Sequence, residues 1–106
     1  MRVSLIITTY NRADALSLVL NSIEGQTVPP KEVIIADDGS TKETQKMILD
    51  FQVTSNLNLT HSWQQDKGFR AAKSRNKAIV KSNGDYIVLI DGDMILHPQF
   101  IEDHIS

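Results

Sequence analysis

Val3-Ser4-Leu5-Ile6-Ile7-Thr8-Thr9-Tyr10-Asn11-Arg12 begins as a continuous apolar run rich in β-branched residues and ends as a polar loop. A run of this length and composition predicts a strand buried on both faces. From Ala13 onward, Leu16, Val19, Leu20 and Ile23 follow the i, i+3, i+4, i+7 spacing of an amphipathic helix, and Gly25 stands where such a helix ends. The unit is strand, polar loop, helix.

The same order then recurs. Pro29-Pro30 breaks the chain, Glu32 to Ala36 carries the run Val33-Ile34-Ile35, and Asp37-Asp38-Gly39-Ser40 forms the next loop. Ser40-Thr41-Lys42-Glu43 has the form of a capping box, which predicts Ser40 as N-cap of a helix that turns Met47, Ile48 and Phe51 inward. Leu57, Leu59, His61 and Trp63 alternate with polar residues, the pattern of a half-exposed strand. A cationic helix is expected from about Phe69 to Ser82, burying Ala72, Asn76 and Ile79, with Gly84 beyond its end. Tyr86-Ile87-Val88-Leu89-Ile90 predicts a fourth buried strand running into Asp91-Gly92-Asp93. Pro98 at N1 would start a last helix with Phe100, Ile101 and Ile105 on its apolar face. Alternation of this kind implies an α/β domain with a mostly parallel sheet, whose ligands bind outside the carboxyl ends of the strands. The polar loops all fall on that edge.

Composition narrows the class. The chain has 106 residues, 41% apolar and 23% charged, so it reads as one globular domain covering residues 1–106 rather than as a disordered or fibrous chain. A net charge of −2 predicts neither a nucleic-acid partner nor a charged membrane surface. Six of the eleven basic residues nonetheless lie between Asp66 and Lys81, either a solvated helix face or an anion-facing one. Cysteine is absent, which excludes disulfides and thiolate metal sites. The apolar runs are too short to span a bilayer and Met1-Arg2 does not begin a signal peptide, so a cytoplasmic location is expected, with no membrane association encoded in these residues.

Asp91-Gly92-Asp93 places two carboxylates one residue apart after an apolar strand. In an extended segment alternate residues point the same way, so both are expected to converge on one hard cation or its hydration shell. Mn²⁺ and Mg²⁺ favour carboxylate, water and phosphate oxygens, so a bound diphosphate would complete such a site. Taken alone, the triplet also reads as a solvated turn. In Asp37-Asp38-Gly39-Ser40 a carboxylate can accept a hydrogen bond from a ribose hydroxyl or a base imide, although capping and turn chemistry explain the same residues. Arg70, Lys73 and Arg75 can offset the charge of a departing diphosphate, and Tyr10 can stack on a base. Trp63 and the methionines read as packing, His61 as part of a strand face, and His97 as a capping or surface residue. No G-x-G-x-x-G follows the first strand, which disfavours a dinucleotide fold.

Together the motifs at 3–12, 32–40, 68–79 and 84–93 resemble those of the family 2 glycosyltransferases, in order and over nearly the whole chain. The resemblance implies the GT-A fold, a Rossmann-like α/β sheet flanked by helices, here in truncated form. It implies a uracil pocket lined by Thr8 and Tyr10, with Asp38 bonded to the base, Asp37 shaping the loop or meeting the ribose, and Arg70 near the uracil or phosphates. Arg12 and Arg75 join the nucleotide-binding set. Asp91 is implied at the ribose and metal shell, and Asp93 as ligand of the divalent cation, Mn²⁺ or Mg²⁺, that bridges the diphosphate. The partners implied are a UDP-sugar donor and a saccharide or lipid-linked acceptor. Gly68-Phe69-Arg70 and the wording from Asp91 to Ile101 are similar to the branch holding bacterial capsule and chondroitin-type polymerases and other galactosyl- or hexosaminyltransferases.

Inverting transfer needs a general base on the acceptor hydroxyl. No residue here matches the family's base, which is expected beyond Ser106, so two readings stand side by side: the donor-binding part of an inverting transferase, and a nucleotide-holding module without chemistry. A third, a phosphoacceptor receiver domain, suits acids at strand ends but not the cationic helix or the late position of the acidic triplet.

Overall fold

The computed structural model describes residues 2–65 and 71–105. Four strands and four helices alternate: β1 (Val3–Thr9), α1 (Ala13–Glu24), β2 (Glu32–Asp37), α2 (Lys42–Thr54), β3 (Leu59–Trp63), α3 (Ala71–Lys81), β4 (Tyr86–Asp91) and α4 (Phe100–Ile105). The strands form one parallel sheet in the order β3-β2-β1-β4. The chain moves outward from β1 to β3 and then returns across β1 to place β4. That reversal puts a switch point between β1 and β4, where a crevice opens at the carboxyl ends of the strands.

On one face of the sheet, Leu16, Val19, Leu20 and Ile23 of α1 and Ile48 of α2 close over Val3, Leu5, Ile7, Val33 and Ile35. Burying each such side chain contributes roughly 1.5–3 kcal/mol, so this face supplies most of the hydrophobic stabilisation. The other face is thinner: Ile6, Ile34 and Ala36 meet Ala78, with Ile79 half-buried beside them.

In its helices and strands the sequence expectation differs from the structure at four places. The helix predicted from Phe69 is described from Ala71, and it buries Ser74 and Ala78 while leaving Ala72 and Asn76 exposed. With so few apolar residues the helical phase was ambiguous, and the sheet selects the stripe of small side chains because these let the helix lie close. Strand β4 is an edge strand: Val88 and Ile90 enter the core, but Ile87 and Leu89 are 40% and 47% exposed, because α3 lies over β1, β2 and β3 instead. Thr41, not Ser40, is the N-cap of α2, and it makes no side-chain cap bond. Pro98 belongs to the turn before α4, in which the His97 carbonyl accepts the Phe100 N–H and His97 Nδ1 accepts the Gln99 N–H. The end of a helix commonly differs by one or two residues.

A buried carboxylate fastens the opposite edge of the sheet. Glu32, 5% exposed, accepts hydrogen bonds from the Ser4 hydroxyl and the Asn83 N–H, and the Ser4 Oγ in turn accepts the Gly84 N–H at 2.7 Å. Burial pushes the Glu32 pKa up, but the Ser4 hydroxyl, the Asn83 N–H and the nearby Lys31 ammonium outweigh it and hold the group below its ordinary value of 4.5. A depressed folded-state pKa contributes stability that is complete above the unfolded value and is lost as pH falls through the folded one. Glu32→Gln should therefore cost about 1–2 kcal/mol near neutrality and flatten the acid limb of stability against pH, read by urea denaturation at pH 7 and below pH 4. Gly84 shares this latch, since a Cβ there would stand 2.4 Å from Ser4 Oγ and 2.8 Å from the Arg2 carbonyl oxygen. Gly84→Ala should lower stability by about 1–3 kcal/mol in the same assay.

Candidate functional site

Three loops meet at the switch point. In the loop after β1, Asn11 takes a left-handed backbone (φ 49°), uncommon for a residue other than glycine. Two bonds across to the next loop hold it: the Asn11 N–H donates to Ser40 Oγ at 2.8 Å, and Asn11 Oδ1 accepts the Thr41 N–H at 2.7 Å. Ser40 thus uses its hydroxyl to join two loops, which is why it does not cap α2.

Asp37 and Asp38 divide their labour. Asp37 is fully buried, with Oδ1 accepting the Ser40 N–H at 2.9 Å and Oδ2 lying 2.8 Å from His61 Nε2. Asp38, 6% exposed, accepts a bond from Gln64 Nε2 at 2.6 Å, while the Gln64 N–H donates to the Asp37 carbonyl at 3.1 Å. The Trp63 indole N–H donates to the Ser40 carbonyl at 3.0 Å, so this half-exposed ring binds the edge of the same loop rather than filling the core. The ends of β1, β2 and β3 therefore form one hydrogen-bonded unit.

The third loop follows β4. The Met94 N–H donates to the Asp91 carbonyl at 3.1 Å, so the acidic triplet is a tight turn and not the extended segment expected. Gly92 permits it: a Cβ there would stand 2.5 Å from the Thr8 carbonyl oxygen. The Thr8 hydroxyl donates to Asp91 Oδ1 at 3.3 Å, and beyond the turn Leu96 is buried, with its N–H on Ser22 Oγ at 3.1 Å. The turn is pinned to β1 at one end and to α1 at the other.

These loops and the first half of α3 enclose a cleft of about 430 Å³. Of the residues singled out from sequence, Thr8, Tyr10, Arg12, Asp38, Arg75, Asp91 and Asp93 all stand in its wall. Asp37 does not. The side chain expected to meet ligand or shape the loop does the second, since both of its oxygens are engaged under the loop. Arg70 lies outside the described residues. Arg12 also forms an exposed pair with Asp14 at 3.3 Å, the kind of contact that contributes little to stability.

Sequence reasoning missed Thr9, Ala36 and Ser74 in the wall, and the roles of His61, Gln64 and Asn11 behind it. An asparagine in a tight loop was a readable signal, because its amide favours left-handed backbone. Nothing in the local pattern marks Gln64, which matters only because β3 ends level with Asp37.

Chemically, the wall has carboxylates at both ends and guanidinium groups from Arg12 and Arg75. Among the described residues no group of three or more histidines and acids forms a metal cage. Asp91 and Asp93 are two exposed oxygen donors on one turn, the set from which Mg²⁺ or Mn²⁺ is held when waters and phosphate oxygens supply the rest. The residues fit such a metal on those terms. No helix among the described residues is long and apolar enough to cross a membrane.

Known proteins are similar to this chain in sequence and in fold. Hyaluronan synthase of Pasteurella multocida is 34% identical over 97% of this chain, which spans 10% of that protein, and chondroitin synthase of Escherichia coli is 32% identical over 97%, spanning 15% of it. These two bear out the resemblance to the chondroitin-type branch. The chain superposes on Staphylococcus aureus TarS 1–349, solved with UDP, with a TM-score of 0.87 and 29% identity over 99% of this chain and 31% of that one. It also superposes on the mannosyltransferase PcManGT of Pyrobaculum calidifontis, solved with GDP-Man and Mn²⁺, with a TM-score of 0.78 and 28% identity over 89% of this chain and 28% of that one. The parallel sheet with flanking helices is thus the GT-A fold, and the receiver-domain reading falls away. The family model for glycosyl transferase family 2 matches residues 4–106, with the switch-point cleft inside the match, and the chain belongs to that family.

Proposed function

We propose that these residues bind the donor of a glycosyltransferase: a UDP-sugar, held with a divalent metal ion, Mn²⁺ or Mg²⁺, for transfer of the sugar with inversion to a saccharide or lipid-linked acceptor. The observation that carries the reading is the cleft itself, in which Asp38 and Tyr10 stand with Asp91 and Asp93 at the switch point of a GT-A sheet. TarS, similar over nearly the whole of this chain, has been solved with both UDP and UDP-GlcNAc.

Each residue then has a chemical task. Asp38, oriented by Gln64, accepts the imide N–H of the base. The Tyr10 ring, 48% exposed, stacks on it. Thr8 holds Asp91 through its hydroxyl, and Asp91 meets the ribose and the metal shell. Asp93 supplies the second carboxylate, and Arg12 and Arg75 offset the charge that gathers on the departing diphosphate. A bound metal would supply Lewis-acid stabilisation of that leaving group. A diphosphate brought against Asp91 and Asp93 with no cation between them would be repelled, which is the electrostatic reason for the metal. Acceptor activation is assigned to none of these residues, so the proposal for this chain is donor binding and leaving-group stabilisation.

Calorimetric titration with UDP, with and without Mn²⁺, tests the reading. UDP should bind more tightly when Mn²⁺ is present, and Asp93→Ala should abolish that enhancement while leaving weak metal-independent binding. Absent UDP binding, or affinity indifferent to the metal, sinks the proposal. The support behind Asp38 gives a second expectation: Gln64→Ala should weaken UDP binding about three- to tenfold without changing the ratio of affinities with and without Mn²⁺.

A further inference from the structure

Ser74 lies in the first half of α3, 2% exposed, and contributes to the wall of the cleft with Ala36 and Asp38. Its Oγ is buried and has no hydrogen-bond partner among the described residues. That is unusual on local grounds alone. A serine or threonine in or beside a helix commonly turns its hydroxyl back onto a carbonyl of the preceding turn. Ser22 does so onto Val19 at 2.6 Å, Ser82 onto Ile79 at 2.6 Å and Thr54 onto Asp50 at 3.1 Å. Among the described residues Ser74 leaves its donor unmade, and a buried polar group without a partner costs free energy unless something else supplies one.

The position of α3 says which part of a ligand can do so. The helix packs over β1, β2 and β3, with most of its contact on β2, the strand that Asp38 follows. Below the helix Ile6, Ile34 and Ala36 are apolar, and the nearby Ser62 Oγ on β3 is taken by the Lys81 ammonium at 3.2 Å rather than by Ser74. Ala36 precedes the Asp37-Asp38 pair, and its small side chain leaves room between the helix and the end of β2.

Building on the nucleotide reading, we infer that Ser74 is a base-selecting residue, whose hydroxyl donates to the C4 carbonyl of the uracil that Asp38 holds by its imide N–H. A uracil edge presents carbonyl, N–H and carbonyl in sequence. A carboxylate can only accept, and so pairs with the N–H; a hydroxyl can donate, and so pairs with a flanking carbonyl. Cytosine presents an unprotonated ring nitrogen to Asp38, where two acceptors face each other. The serine and the aspartate together read donor and acceptor in adjacent places, which neither does alone.

Ser74→Ala tests this in the whole chain. Alanine is the better helix former and removes only an unpaired hydroxyl, so melting of the unliganded protein should be unchanged or slightly higher. In calorimetric titrations with UDP and with CDP, both with Mn²⁺, the wild type should prefer UDP. The variant should lose about three- to tenfold in UDP affinity and little in CDP affinity, so the preference narrows. Unchanged UDP affinity in the variant overturns the assignment while leaving the nucleotide reading intact. An equal loss for UDP and CDP overturns it too, by moving the contact off the C4 carbonyl. A lower melting temperature of the unliganded variant would reveal a structural partner for the hydroxyl and count against it. A wild-type chain that binds neither nucleotide overturns the nucleotide reading and this inference with it.

Discussion

The pairing of β1 on both of its edges is the constraint on which the cleft depends. Thr8 lies level with Ala36 on one side and with Asp91 on the other. That register sets the acid after β2 and the acids after β4 on either flank of a single strand end. A slip of one residue on either side would turn the apolar set of a strand from one face to the other, so the register is enforced by burial of Leu5, Ile7, Val33, Ile35, Val88 and Ile90 on one face. The geometry of the polar edge is thus a consequence of hydrophobic packing well below it. The latch of Glu32, Ser4, Asn83 and Gly84 acts on the same register from the opposite end, by tying the turn before β4 to β1 and β2.

A second layer of polar contacts converts strand ends into a shaped wall. Loop residues have no ladder to hold them, and each of these loops borrows a partner from its neighbour. Asn11 reaches to 40–41, Asp37 to Ser40 and His61, Asp38 to Gln64, and Asp91 to Thr8. Several of these groups are buried, where a missing partner would be costly and a satisfied one orders its neighbours. The acid that does not face the cleft is therefore as necessary as the one that does: Asp37 holds the loop in the shape from which Asp38 can act.

Strand runs, the helical stripe of α1 and the acids at strand ends were legible in the sequence, because each depends on residues close together in the chain. Leu16, Val19, Leu20 and Ile23 declare their face by spacing alone, and all four are buried. What escaped depends on the third dimension. The exposed face of β4 follows from its place at the sheet edge, and the phase of α3 from which side chains let the helix approach the sheet, neither of which a local pattern contains. Ser40 carries a capping signal that is locally sound, yet a partner 29 residues away claims its hydroxyl. Gln64 has no local signal at all. Asp37 and Asp38, adjacent and chemically identical, are told apart by the family resemblance but by nothing in the local pattern, and the buried bonds of Asp37 show which of its two implied roles it takes.

The cleft is chemically unfinished as it stands, and its unfinished groups are of two kinds. Asp91 and Asp93 present like charges on one turn, an arrangement relieved by a cation and then by an anion bound to that cation. Thr9 and Ser74 present buried hydroxyls without partners among the described residues, Thr9 beneath Gly92 and Ser74 beside Ala36. The acids ask for charge and the hydroxyls for hydrogen bonds, Thr9 beneath the acidic turn itself and Ser74 on the helix that packs over β1, β2 and β3. A ligand that answers both must be polar but neutral at one end and anionic at the other. A nucleoside diphosphate has that asymmetry, with a hydrogen-bonding base at one end and a metal-seeking diphosphate at the other. The two deficiencies are thus of the kinds that the proposed donor would meet.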